Sequence, residues 1–190
     1  MSVIRDEVVR HREVVERVLD GLIDQIEEAS QMVADGLRAG GKLLVFGNGG
    51  SAGDAQHIAA ELVGRYLANN RRPLPAIALT TDTSALTAIA NDFSFASVFE
   101  RQVQALAGPR DVAIGISTSG ESENVLLGLR AAQAAGARTI ALLGRSGGRI
   151  AAACDLPLIV PSAETPRIQE MHILIGHLIC AYVDAAFAEG

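Results

Sequence analysis

After Gly41 the chain alternates five short apolar runs, at 43–46, 76–79, 112–117, 139–143 and 156–160, with stretches of helical periodicity. Short, nearly continuous apolar runs suit parallel strands covered on both faces, because a strand with one wet face alternates apolar and polar residues instead. The intervening helices are expected at 54–67, 84–90, 95–106, 121–135 and 148–153, with a last helix over 165–187. Strand–helix alternation of this kind makes an α/β fold with a doubly wound five-stranded parallel sheet. Such sheets bind ligands outside the carboxyl ends of their strands, near a switch point in strand order.

The first 39 residues read differently. Val8, Val15, Leu19, Leu22, Ile26, Met32, Val33 and Leu37 recur at helical intervals with no proline among them, and Gly36 and the Gly40-Gly41 pair mark the end. The stretch exceeds an ordinary helix, so it is one long helix or two joined by a bend, with Gly21 as the weak point. Its apolar stripe needs a cover, and another subunit would supply one. The segment 68–75 (ANNRRPLP) reads as a polar, proline-marked surface loop rather than a linker. No solenoid repeat is present. One domain over 1–190, with a helical extension at 1–39 and an α/β core at 42–190, is the simplest partition.

Two of the expected strands run into loops of small residues. Gly47, Asn48, Gly49, Gly50, Ser51, Ala52 and Gly53 follow the first strand; Thr118, Ser119, Gly120, Glu121 and Ser122 follow Ser117 at the end of the third. Neither loop contains Lys or Arg. Such a loop holds a phosphate with backbone N–H groups, hydroxyls and a helix N-terminus. The first loop lacks the Lys-Ser/Thr ending of a nucleotide P-loop, and no acidic residue closes a second strand about 20 residues later, as a dinucleotide fold requires. An ordinary tight strand-to-helix turn is the lesser reading of this loop by itself. The second loop tips the balance. Ser117, Thr118, Ser119 and Ser122 put four hydroxyls around one helix start, where capping needs one, Ser119 or Ser122. Glu121 and Glu123 suit the helix dipole but would repel a phosphate, so they are expected to turn away.

Four polar groupings are candidates for chemistry. His57 and Glu61, spaced i, i+4, share a helix face and suit either a metal ion or acid–base work; an ordinary surface pair has the same spacing. The last helix carries Gln169, Glu170, His172 and His177. His177 stands in an apolar run and would otherwise be a core histidine satisfied by a carbonyl; His172 lies on a different face. Gln169 and His177 are roughly 12 Å apart along a helix, a stretch that a site shared between subunits would relieve. Asn91-Asp92 is either a sugar contact or a helix end.

The bulk numbers exclude several classes. A net charge of −6 over 190 residues argues against a nucleic-acid partner, which demands a basic face. Cys154 and Cys180 have no metal or redox spacing and read as reduced core thiols. No leader pattern appears and no apolar run approaches the ~18 residues of a membrane span, so a cytoplasmic protein with no membrane partner is expected.

Taken in order, GNGGSAGDAQHIAAEL, LTAIAND, ISTSGES and TPRIQEMHILIGHLI resemble the phosphoheptose isomerases of the sugar isomerase (SIS) fold, over almost the whole chain. That resemblance implies conversion of sedoheptulose 7-phosphate to D-glycero-D-manno-heptose 7-phosphate through an enediol, the first step of bacterial heptose synthesis. It implies a cytoplasmic homotetramer holding one exchangeable zinc ion per subunit. The implied metal ligands are His57, Glu61, Gln169 and His177, with Glu61 and His177 the acid–base pair. Ser51, Ser117, Ser119 and Ser122 would hold phosphate beside Gly49 and Gly50. Asn48, Asn91, Asp92, Thr118 and Gln169 would face the sugar, and Arg65 is a further candidate. The chain departs from the family's STSGNS pattern at Glu121. Two alternatives stay open: a sister SIS family that binds the replication initiator, whose members lack the counterparts of Glu61 and His177, and an isomerase of another sugar phosphate.

Overall fold

The structure, a computed structural model, describes residues 2–67 and 70–188. Helices α1 (Val3–Gly21) and α2 (Ile23–Arg38) form the extension. Of the two readings the sequence permits, the bend is the one observed: Leu22, with φ −129° and ψ −3°, steps out of helical geometry between them. The core then runs β1 (Leu43–Gly47), α3 (Gly50–Val63), β2 (Ala76–Ala78), α4 (Thr83–Asp92), a 3₁₀ turn (Phe95–Ser97), α5 (Val98–Leu106), β3 (Val112–Ser117), α6 (Glu123–Ala134), β4 (Arg138–Leu143), α7 (Gly148–Ala151), β5 (Leu156–Ile159) and α8 (Thr165–Phe187).

All five strands pair in parallel in the order β2-β1-β3-β4-β5. Every expected strand lies within one residue of an observed one. Helix α3 is the larger correction: it starts at Gly50 rather than 54 and stops at Val63 rather than 67. Gly49 makes the turn in a single residue, so the rest of the loop is already helix, and the chain leaves helical geometry at Gly64.

Alternation along the strands divides the core into two layers. Leu43, Val45, Ile114 and Ile116 face α2, α3 and α8 together with Val33, Ile58 and Ile175. Leu44, Phe46 and Ala113 face α5 and α6 with Val103 and Leu129. Helix α8 is long and apolar enough, by length and composition, to cross a membrane. Here it packs on α2 and α3 and buries Arg167 and Asp184 among its apolar residues, as a core helix does.

The segment expected to be a polar surface loop is only partly so. Ala68 and Asn69 lie outside the described residues, but Arg71 and Leu74 are buried. Arg71 Nε donates to the Asp184 carboxylate, and its other nitrogens donate to the Leu62, Gly64 and Glu61 carbonyls at the end of α3. The guanidinium thereby satisfies orphan carbonyls at the negative end of the helix dipole. The core histidine is His172 and not His177: it is fully buried on α8, with Nε2 3.0 Å from the Leu143 carbonyl and Nδ1 unpartnered. Burial pushes its pKa down to about 4.

Two stability measurements follow from these groups. Arg71→Leu removes the buried cation that Asp184 faces and leaves its carboxylate with the Leu67 N–H donor at 2.6 Å, and denaturant titration should show a loss of about 3–5 kcal/mol. His172 stays neutral in the fold but ionises near 6.5 in the unfolded chain, so between pH 6.5 and about 4 the unfolded chain binds the extra proton. Stability from this residue is therefore complete above pH 6.5 and falls by about 3 kcal/mol as pH drops through that window. His172→Leu should flatten the decline; an unchanged slope would show that the imidazole is not held neutral.

Candidate active site

The site is built where strand order reverses. β1 and β3 are neighbours, paired up to Gly47↔Ile116, and the helices that follow them leave to opposite faces of the sheet. Both small-residue loops thus open side by side. The first turns on glycine for steric reasons: a Cβ at Gly47 would stand 2.9 Å from the Ile116 carbonyl oxygen, and Gly49 sits at φ +57°. Ser51, buried, opens α3. From α8, Gln169 lies over Gly50, whose Cβ would meet Nε2 at 2.6 Å.

The hydroxyls of the second loop serve differently from the capping scheme expected. Neither Ser119 nor Ser122 caps α6 through its side chain. Ser119 Oγ accepts from the Glu121 N–H at 3.2 Å, Ser117 Oγ accepts from the Gly120 N–H at 3.2 Å, and the Ser117 and Ser122 hydroxyls bond each other at 2.9 Å. Thr118 is half-buried in the same loop. Glu121 and Glu123 are both taken by Arg149, whose Nε and Nη2 donate at 2.9 and 2.8 Å. The Arg149 hydrogen bond draws the Glu121 carboxyl below its ordinary value. The two loops are tied together by a reciprocal amide pair between Asn48 and Asn124 at 2.9 and 2.8 Å.

Two turns along α3 from the first loop, three candidate residues meet within one chain. His57 Nε2 lies 2.9 Å from His177 Nε2 and 3.2 Å from Glu61 Oε1. Tyr66 stacks on the His177 ring with centroids 5.4 Å apart. The half-exposed His177 is thus not a core histidine, and it meets His57 of α3 within one chain. Contacts of Gly50 with Gln169, His57 with His177 and Ile58 with Gly176 show α3 and α8 running side by side in one direction. Gln169 therefore stands at the Gly/Ser-loop end of α3 and His177 at the His57 end. Asp54, one turn before His57, has a buried Oδ2 with no partner, and burial raises its pKa against the opposing effect of His57.

Asn91 and Asp92 lie at the exposed end of α4, where the Asn91 amide donates to Asp92 at 2.9 Å. Arg65 is exposed beyond the end of α3. Two imidazole nitrogens and a carboxylate around His57 are donor types that zinc accepts. Among the described residues, however, no group of three or more His, Cys, Asp or Glu side chains forms a ready-made cage. The set fits a metal as a partly assembled site. Sequence patterns do not single out Tyr66 or Asn124. Asn124 lies two residues past Ser122, within the helix that follows the second loop, and Tyr66 lies past the end of α3, where no spacing rule relates it to His177.

Comparison with known proteins agrees with this architecture. The family model of the SIS domain matches residues 9–144. The phosphoheptose isomerase of Nitratiruptor sp. is 55% identical over 97% of this chain and 98% of its own length, and that of Aquifex aeolicus 59% identical over 87% and 86%. The solved phosphoheptose isomerase of Neisseria gonorrhoeae superposes with a TM-score of 0.90 at 44% identity, covering 96% of this chain and 97% of that one. The Francisella tularensis structure gives 0.93 at 37%, covering 96% of each. The chain belongs to the SIS domain family, among its phosphoheptose isomerases.

Proposed function

We propose that this chain interconverts sedoheptulose 7-phosphate and D-glycero-D-manno-heptose 7-phosphate by aldose–ketose isomerisation. The observation that carries the reading is the layout of α3. From Ser51 in the first loop to His57 the helix rises about 9 Å. An extended seven-carbon chain ending in a phosphate bridges that distance. Its phosphate would lie between the two Gly/Ser loops, with C1 and C2 beside Glu61, His57 and His177. The initiator-binding alternative has no use for this arrangement and is set aside.

The chemistry asks for two proton carriers. Glu61 would take the carbon-bound proton from C1 and return it at C2, while His177 moves the hydroxyl proton between the two oxygens. Gln169 and Thr118 would orient the sugar between phosphate and acid–base pair. Arg149 holds Glu121 and Glu123, so the acidic departure in the second loop is neutralised beside the phosphate rather than aimed at it. His57, Glu61 and His177, with Gln169 reaching from the loop end, would hold a zinc ion, which when bound polarises the substrate carbonyl.

Assembly as a homotetramer in the cytoplasm belongs to the same proposal. Helix α4 buries none of its residues in the single chain, and Phe93 and Phe95 beside it are 58% and 62% exposed. A second copy laid on this face would cover it and meet Asn91 and Asp92.

Incubation of the purified protein with sedoheptulose 7-phosphate should yield aldoheptose 7-phosphate, and Glu61→Gln should lower kcat by about 10²–10⁴ with a much smaller change in KM. No turnover by the parent, with or without added zinc, would overturn the reading. Titration of metal-free protein should take up one zinc per chain and fail to do so in His57→Ala; equal uptake by both would remove the metal from this site.

A further inference from the structure

The β1–β3 ladder ends at Gly47↔Ile116, and the next residue of β1's chain is Asn48. Beyond that rung, among the described residues, no backbone pairing holds the first loop beside the second. Asn124, in the first turn of α6 and only 4% exposed, takes over at this point. Asn48 Nδ2 donates to Asn124 Oδ1 at 2.9 Å, and Asn124 Nδ2 donates to Asn48 Oδ1 at 2.8 Å. A primary amide carries both a donor and an acceptor, so two of them close a ring of bonds that no ionised Asp or apolar residue reproduces. Neighbouring positions on α6, Val125, Leu126 and Leu129, are filled by apolar core residues. Packing alone therefore does not call for an amide here, and a buried one is stable only while partnered.

We infer that Asn124 is a positioning residue: its amide pair with Asn48 extends the β1–β3 junction by one rung and sets the gap between the two loops that hold the substrate's phosphate. The inference rests on the proposed function for the identity of the phosphate ester. Setting that gap also sets how far the sugar carbons reach along α3 toward Glu61 and His177. Asn48, which the family resemblance turns toward the sugar, acts first as the other half of this link.

The test is a double-mutant cycle with two readouts, kcat/KM for sedoheptulose 7-phosphate and the Kd of inorganic phosphate measured by calorimetry. Asn48→Ala and Asn124→Ala should each lose roughly tenfold in both, the kinetic loss falling mainly in KM. The double variant should match the worse single within about twofold, because either change alone already breaks the ring. Losses that multiply would overturn the inference. Asn124→Asp guards against simple misfolding. Its carboxylate accepts from Asn48 but has no proton to return, whereas the protonated acid restores both bonds. At pH 8, where the carboxyl is ionised, Asn124→Asp should therefore lose about as much as Asn124→Ala in both readouts while keeping the parent's circular dichroism; an Asp variant that matches the parent would also overturn the inference. A parent that binds phosphate but does not turn over the sugar defeats the proposed function alone, and the phosphate titrations still decide the Asn pair. A parent that binds no phosphate defeats the inference as well.

Discussion

Parallel pairing of β1 with β3 is the constraint from which the rest of the site follows. It sets two strand ends side by side at the one place where the helices on either side of the sheet part. Gly47 permits the closeness, since any side chain there would collide with the Ile116 carbonyl. Each loop then starts a helix, so two helix N-termini open toward one region. In the proposed function, an anion would be held there by aligned backbone dipoles and hydroxyls, in an acidic protein whose two Gly/Ser loops contain no cationic side chain.

The second dependence is on α3 and α8 running together in one direction. That arrangement converts sequence spacing along two separate helices into matched levels, with Gln169 over Gly50 and His177 against His57. The far end of α3 is held by the buried Arg71–Asp184 pair, whose guanidinium also takes the Glu61 carbonyl. The backbone beneath the proposed acid–base carboxylate is thus anchored to α8 by a residue remote in sequence. Arg149 has a comparable role at the second loop, where it draws two glutamates at the start of α6 to one side.

Much of the fold is legible in the chain because the signals are local. Continuous apolar runs announce doubly covered strands, and glycines announce turns that other residues cannot make. The i, i+4 spacing of His57 and Glu61 is enough to place both on one helix face. Sequence and structure part where the deciding contact is not local. His177 and His172 are both in apolar surroundings by sequence, yet only His172 turns toward the Leu143 carbonyl, because α8 rolls that face onto the sheet. Local rules favour Ser119 or Ser122 as a helix cap, but the hydroxyls serve turns within the loop instead.

The sequence by itself determined the alternating α/β order, the two loops able to receive an anion without cations, and the helix face carrying His57 with Glu61. These depend on intrinsic periodicity and on backbone conformations that only particular residues adopt. Only the tertiary structure decided that His57, Glu61 and His177 meet in one chain, that Tyr66 stacks there, that Arg71 is interior, and that Asn48 is bound to Asn124. Those pairings join residues far apart along the chain, and their geometry comes from sheet order and from the relative roll of packed helices, which no local pattern encodes.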